Sequence, residues 1–215
     1  MWWHSKAFHT QCSILNHTLL VLSHRWVWSC VKIIFVDYRK AFDLIDHNVL
    51  IQKVQRLDIL RCIVNWIADF LTNRQQRVKL SEQSFSEWGQ VPAGVPQRTK
   101  LGPWLFLLMI NDLNIPDVLD WKYVDETTFA EIVPRGASFE IEKAADKAVD
   151  WSKDQRMYLN ENKCKEIRID FEKNKHRFDP GLINGKDLSV VENAKILGVT
   201  ISNDLKWNDH IEQSY

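Results

Sequence analysis

Residues 31–47 read VKIIFVDYRKAFDLIDH. Val31 to Val36 is a nearly unbroken apolar run rich in β-branched residues, the pattern of a short strand buried on both faces, and Asp37 ends it. Water solvates a carboxylate far better than a core does, so an acid at the end of such a strand has a role to explain. Beyond it Phe42, Ile45, Val49, Leu50 and Val54 recur at helical spacing and predict a helix from Lys40 to Leu57.

Working outward, residues 1–16 are aromatic-rich without a clear period and read as a leader. Leu19, Leu20, Leu22, Trp26 and Val27 predict a helix over 17–28. Downstream the pattern predicts a helix from Leu60 to Leu71, a hairpin of Gln75–Leu80 with Ser84–Val91, and a helix from Leu101 to Leu113 begun near Pro103. Trp121–Val124 and Thr127–Ile132 predict a tight hairpin around Asp125 and Glu126. Ser138 is placed to cap a long helix reaching Leu159, with Glu140 and Glu142 in its first turn. Strands follow at Lys165–Phe171, around an Asn184-Gly185 turn, and at Lys195–Ile201. Strands and helices alternate without a strict βαβ repeat, which predicts an α+β class.

The 215 residues suffice for one ordinary domain or one domain and part of a second. Hydrophobic residues make up 45% and charged residues 26%, values that exclude a disordered or fibrous chain. Lys+Arg and Asp+Glu both total 28, so any nucleic-acid binding rests on local patches and not on a global basic field. Cys12, Cys30, Cys62 and Cys164 show no zinc spacing, and four free thiols are expected, without zinc. Lys6, Asn16 and His17 interrupt any signal-like run, and no eighteen apolar residues run together. These features predict an intracellular protein, in nucleus or cytoplasm, with no membrane span.

Two acidic sites carry the chemistry. Asp37 ends a buried strand, and Asp125 with Glu126 occupies a turn that lacks the glycine or asparagine such turns favour. Locally unfavourable choices collect at functional sites. If adjacent strands bring Asp37 beside Asp125, their oxygens suit two divalent metals about 3.5–4 Å apart, the arrangement for in-line phosphoryl transfer. A second reading has Asp37 capping the following helix and the acidic pair as a solvated turn. Arg74, Arg77 and Lys79 suit phosphate contacts or a solvated hairpin equally.

The ordered set of motifs resembles a known family. FVDYRKAFDLIDH (35–47) is similar to motif A of the reverse transcriptases of non-LTR retrotransposons, GVPQRTKLGPWLF (94–106) to motif B, YVDET (123–127) to motif C, LNENKCK (159–165) to motif D and KILGVTI (195–201) to motif E. The resemblance covers roughly residues 17–212 and is nearest to jockey-like elements. It implies a palm-like α+β core with partial fingers and the start of a thumb: a leader over 1–16, the palm with partial fingers over 17–171, and a motif E region over 172–215 leading towards a thumb. It implies RNA-templated DNA synthesis with two Mg²⁺, and an RNA template, a DNA primer and deoxynucleoside triphosphates as partners.

Residue by residue, the resemblance makes Asp37 and Asp125 the metal-bridging acids and puts Glu126 in the place of the second motif C aspartate. Phe42 matches the aromatic beneath the sugar, and Gln97 the motif B residue near the nascent base pair. Tyr123 falls among the nucleotide contacts, and Lys163 matches the proton donor to leaving pyrophosphate. Read without the resemblance, Phe42 is core packing and Lys163 a solvated lysine among Lys153, Lys165 and Arg168.

Three departures predict an impaired or inactive copy. Glu126 carries one methylene more than the family's aspartate, Arg98 replaces a glycine, and only some thirty residues precede Asp37 where the family has its basic finger strands. The alternatives are a non-catalytic remnant that binds RNA or protein, or has no function, and, more remotely, a two-carboxylate metal hydrolase.

Overall fold

The computed structural model describes residues 28–116, 118–134, 137–170, 179–196 and 198–212. The leader and the helix expected over 17–28 lie outside them, apart from Trp28. The described residues divide into two compact units, one of residues 28–37, 115–150 and 159–212, the other of residues 38–114 and 151–158.

The first unit is built on a five-stranded sheet of order β4-β5-β1-β6-β9. Its central strand β1 (Trp28–Asp37) is longer than the apolar run and takes in Asp37. Strands β5 (Glu126–Pro134) and β6 (Lys165–Asp170) pair antiparallel on either side, β4 (Leu119–Tyr123) flanks β5, and β9 (Ser189–Val191) adds to β6 in parallel. Alternation along β1 sorts its side chains. Val31 and Ile33 pack with Ala130, Ile167 and Ile169 on one face, joined by Trp121 and Leu205.

The other face buries Lys32, Ile34, Val36 and Phe129. Lys32 is fully buried and is paired on two sides, with Glu142 at the start of helix α4 (Ile141–Asp154) and with the equally buried Glu166, 3.4 Å away. Glu166 in turn accepts from Arg168 and from the Gly181 amide, so its charge is held by three donors. Ile141, Ala144, Ala145, Ala148, Val149 and Ser152 are the buried residues of α4 and recur at spacings of three and four, as an inward stripe requires.

Two small hairpins complete this unit. Strands β7 (Leu182–Ile183) and β8 (Lys186–Asp187) close through Asn184 (φ 51) and Gly185 (φ 73), the left-handed pair of a type I′ turn, as the Asn-Gly sequence predicts. The single strand expected over 195–201 is instead a hairpin of β10 (Asn193–Ile196) and β11 (Val199–Ser202), because Gly198 takes φ 89 and reverses the chain. A short helix α5 (Asn208–Glu212) follows, its His210 Nδ1 accepting from Thr200 N.

In the second unit the helix expected from Lys40 begins only at His47. Lys40 takes φ 46, so 38–46 is a turn, and Asp46 caps α1 (His47–Gln55) by accepting from the amides of Asn48 and Val49. Helix α2 (Arg61–Leu71) forms where the apolar period places it. The hairpin predicted over 75–91 is reduced to β2 (Gln75–Gln76), β3 (Gly89–Gln90) and an isolated Lys79–Phe85 bridge. Its exposed rings cluster around Arg77, which stacks on Phe85 and Trp88. Helix α3 (Leu101–Ile110) is nearly all apolar and packs on α1.

Helix α4 starts three residues after its expected cap. Ser138 does not cap it; Glu131 of β5 does, its Oε2 accepting from the amides of Glu140 and Ile141 at 2.8 Å each. The helix stops at Asp154 and not Leu159, with Arg156 at φ 55 turning the chain.

Candidate functional site

In the first unit the ladder places Asp37 directly opposite Glu126, at the end where β1 and β5 both finish pairing. Tyr123, half-buried, closes the β4 side of the same hairpin opposite Glu126. The two-residue turn is therefore Val124-Asp125, not the acidic pair Asp125-Glu126, and Glu126 is the first residue of β5. Val124 holds φ 52, a conformation that a β-branched side chain rarely adopts. Strain of this kind persists where surrounding structure imposes it, and here it presents Asp125 at the sheet's end.

Lys163 reaches Asp37 because the turn before β6 is pinned to the end of β1. Asn160 N donates to Asp37 O (2.8 Å), Lys163 N and Cys164 N donate back to Asn160 O, and Asp37 N points at Cys164 Sγ (3.5 Å). The Lys163 ammonium then lies 3.8 Å from Asp37 Oδ2. Burial pushes the Asp37 carboxyl above its ordinary range; Lys163 and the Asn160 side chain oppose the shift, and the Asp125 charge adds to it. Asp125 is thus near enough for its charge to act on Asp37.

A cavity of about 410 Å³ opens here, lined among others by Asp37, Glu126, Thr128, Lys163, Lys165 and Lys195. Asp37 Oδ1 is buried and accepts no hydrogen bond from the protein. An acid oxygen left in that state fits a cation that the protein itself does not supply. Among the described residues no group of three or more His, Cys, Asp or Glu is arranged to hold a metal ion.

The second unit holds Phe42, Gln97 and Arg98. Phe42 is half-buried on the 38–46 turn, its ring 5.1 Å from that of Phe106. The 93–97 segment lies against that turn: Gly94 N donates to Ile45 O, Val95 N to Phe42 O, and His47 Nε2 contacts Gly94 O at 2.6 Å. Only glycine permits this approach, since a Cβ at position 94 would stand 2.7 Å from Asp43 O and 2.8 Å from Phe42 O, at φ 88. Between the two segments is a cavity of about 530 Å³ lined by Phe42, Asp43, Arg74, Gln76, Gln90 and Gln97 among others. Gln97 Nε2 donates to Asp43 Oδ1 (2.9 Å). Arg98 takes φ 59, a left-handed backbone conformation that glycine adopts without cost.

Of the sequence-derived residues, Asp37, Asp125, Glu126, Tyr123 and Lys163 fall in the first unit and Phe42 and Gln97 in the second. Sequence reasoning gave no site role to Asn160, Cys164, Lys165, Lys195 or Asp43. All five stood inside quoted motifs, but nothing in their spacing signalled a contact with the site. Free thiols occur at Cys30, Cys62 and Cys164, and no helix among the described residues is long and apolar enough to cross a membrane.

Residues 3–201 match the family described as reverse transcriptase (RNA-dependent DNA polymerase). The chain belongs to the reverse transcriptase family. This reverse transcriptase chain is 26% identical over 189 residues to the RNA-directed DNA polymerase from mobile element jockey of Drosophila melanogaster, covering 82% of this chain and 20% of the relative. The jockey polymerase of Drosophila funebris is 28% identical over 213 residues, covering 92% and 22%. The chain thus spans about a fifth of the length of the curated relatives it matches. Among solved structures it is similar to telomerase from Candida tropicalis in complex with a fragment of telomeric RNA, with a TM-score of 0.61 at 13% identity over 92% of this chain and 32% of that one. At that identity the likeness concerns the fold, an α+β palm-like reverse transcriptase core.

Proposed function

We propose that the chain is the core of an RNA-templated DNA polymerase that extends a primer 3′-hydroxyl with deoxynucleotides, and that this copy does so weakly or not at all. The observation that carries the reading is the half-buried Asp37 carboxyl at the end of a central strand beside the strained Val124 turn, with one buried oxygen, Oδ1, that no protein group satisfies. Asp37 and Asp125 would hold divalent metal, and substrate oxygens would complete its coordination. Divalent metal held by these residues would supply Lewis-acid activation of the primer hydroxyl and neutralise charge on the transferring phosphate. Lys163, on an exposed turn beside Asp37, would give a proton to the leaving pyrophosphate. Phe42 and Gln97 line the cavity assigned to the nucleotide's sugar and base, and Tyr123 supports the acidic hairpin.

Impairment follows from two residues. Glu126 sets its carboxylate about one C–C bond, roughly 1.5 Å, further out than an aspartate would. Arg98 forces a side chain into a left-handed position next to Gln97. The test is primer extension by the purified chain with an RNA template, DNA primer and Mg²⁺. Weak incorporation that Asp37→Asn abolishes supports the polymerase; binding of template without incorporation favours a non-catalytic remnant. Incorporation that Asp37→Asn leaves intact refutes the assignment.

A further inference from the structure

We infer that Asp43 is a positioning residue: by holding the Gln97 amide in one orientation it makes the second unit's cavity present a hydrogen-bond acceptor, and so selects a ligand that offers a donor there. The inference rests on the nucleotide assignment of that cavity made above.

An unrestrained glutamine amide turns end over end at little cost and offers donors in one orientation and an acceptor in the other. An ionised carboxylate only accepts, so a neighbouring aspartate fixes the choice. Asp43 Oδ1 accepts one N–H of the Gln97 NH₂ group at 2.9 Å, which keeps the amide from flipping and holds Oε1 as its acceptor, beside the one N–H that remains. Both side chains are exposed but spring from hydrogen-bonded backbone. Asp43 N donates to Lys40 O at 2.8 Å within the 38–46 turn, and the chain leading to Gln97 is tied to the same turn through Gly94 and Val95. Asp43 and Gln97 line the same cavity as Phe42 and Arg74, so the amide acts where a ligand would sit. A nucleotide's donors are its sugar hydroxyl and the N–H groups of its base; the phosphates, fully ionised, offer none. The selected ligand is thus recognised by its nucleoside part.

Electrostatics alone predicts the opposite effect of removing Asp43. Deleting a negative charge from a cavity that takes a polyphosphate tightens binding, whereas losing the amide's orientation loosens it. The experiment uses the full chain and two readouts. In ¹⁵N NMR spectra the Gln97 side-chain NH₂, assigned by its absence in Gln97→Ala, is expected to be shifted and exchange-protected in the wild type and to return to the position of a free amide in Asp43→Ala. In titrations with Mg²⁺-dTTP, Asp43→Ala is expected to weaken binding about two- to tenfold, the worth of one hydrogen bond. Gln97→Ala should match it, and the double variant should lose no more than either. Inorganic triphosphate should bind Asp43→Ala as well as or better than wild type. Repeating the titration with 2′,3′-dideoxy-TTP tells the donor's source: if the Asp43 effect vanishes the sugar hydroxyl is the donor, and if it persists the base N–H is.

Additive losses in the double variant, or equal weakening of triphosphate, would overturn the inference while leaving the nucleotide site standing. An intact Gln97–Asp43 signal in a chain that binds no dTTP at millimolar concentration would instead refute the nucleotide assignment, and this inference with it. A Gln97 amide indifferent to Asp43 refutes the lock itself.

Discussion

The Lys163 ammonium stands 3.8 Å from one oxygen of Asp37 while the other oxygen, buried, accepts no hydrogen bond. One counter-charge does not offset the desolvation, and the carboxyl keeps its proton to a higher pH than the ordinary 3.8. Between the ordinary pKa and the raised one the folded state binds more protons than the unfolded one, so this group's contribution to stability falls as pH rises through that window and is constant on either side. Asp37→Asn should therefore raise the melting temperature slightly at pH 7, solvent screening keeping the gain small, and have little effect at pH 3, while abolishing Mg²⁺ binding. Thermal melts at the two pH values with a Mg²⁺ titration check it; a variant less stable than wild type at pH 7 would show the charge to be satisfied.

Arg98 carries a left-handed backbone that costs an L-residue roughly 1 kcal/mol relative to glycine. Arg98→Gly should raise the melting temperature by about 2–4 °C in a chain of this size, whereas Arg98→Ala, which keeps the Cβ, should not. In primer extension the glycine variant should gain more than Glu126→Asp, and the two changes together more than either. Equal stabilisation by alanine and glycine would assign the effect to the guanidinium and not to the backbone.

Gly94 and Gly198 share a φ near 89 but differ in surroundings: a Cβ at 94 meets two backbone carbonyls within 3 Å, and one at 198 meets nothing within 4 Å. Gly198→Ala should cost about 1 kcal/mol, and Gly94→Ala at least about twice that with loss of dTTP binding. Urea denaturation of the pair isolates crowding from dihedral strain, and equal costs would show that the 93–97 segment yields.

Lys32 holds the buried Glu166 together with Arg168 and the Gly181 amide. Removing one partner of a buried ion pair costs about 3–5 kcal/mol because the other charge remains. Lys32→Met should approach that figure in chemical denaturation, and Lys32→Met with Glu166→Gln should be milder. A double variant as damaged as the single one would mean that packing, not charge, sets the loss.

Burial pushes the Cys30 thiol up to about 12 and the Cys164 thiol up to about 11, whereas Cys62 is exposed. Of these three, only Cys62 should react quickly with a disulfide reagent at pH 8, the other two after unfolding. Mass mapping of the modified cysteines decides it, and fast labelling of Cys164 would mean that the Asp37 turn opens readily.

What the sequence made legible was local. The Val31–Val36 run, the α2 stripe and the Asn184-Gly185 turn need no distant partner, and each formed where its pattern lay. Asp37 and the acidic hairpin were visible because a charge at the end of an apolar strand and a turn without glycine are anomalies in themselves. The misplacements were non-local. Ser138 met the local rule for a cap, but Glu131 reached the helix end from another strand. The helix that the apolar period favoured from Lys40 gave way to a turn whose carbonyls at Phe42 and Ile45 accept from Val95 and Gly94, and the Asp43–Gln97 bond joins residues 54 positions apart that no periodicity connects.

Glu131 and Glu126 lie five residues apart on β5 and so point to opposite faces, one fastening the start of α4 and the other standing across from Asp37. A slip of one residue along this ladder would detach the helix and drive Glu131 into the Ile33–Ile167 core at the same stroke. The strand is therefore self-proofreading: a chain that pairs it wrongly loses the Glu131 cap of α4, so the alignment that sets Glu126 across from Asp37 is checked by the fold before any substrate arrives.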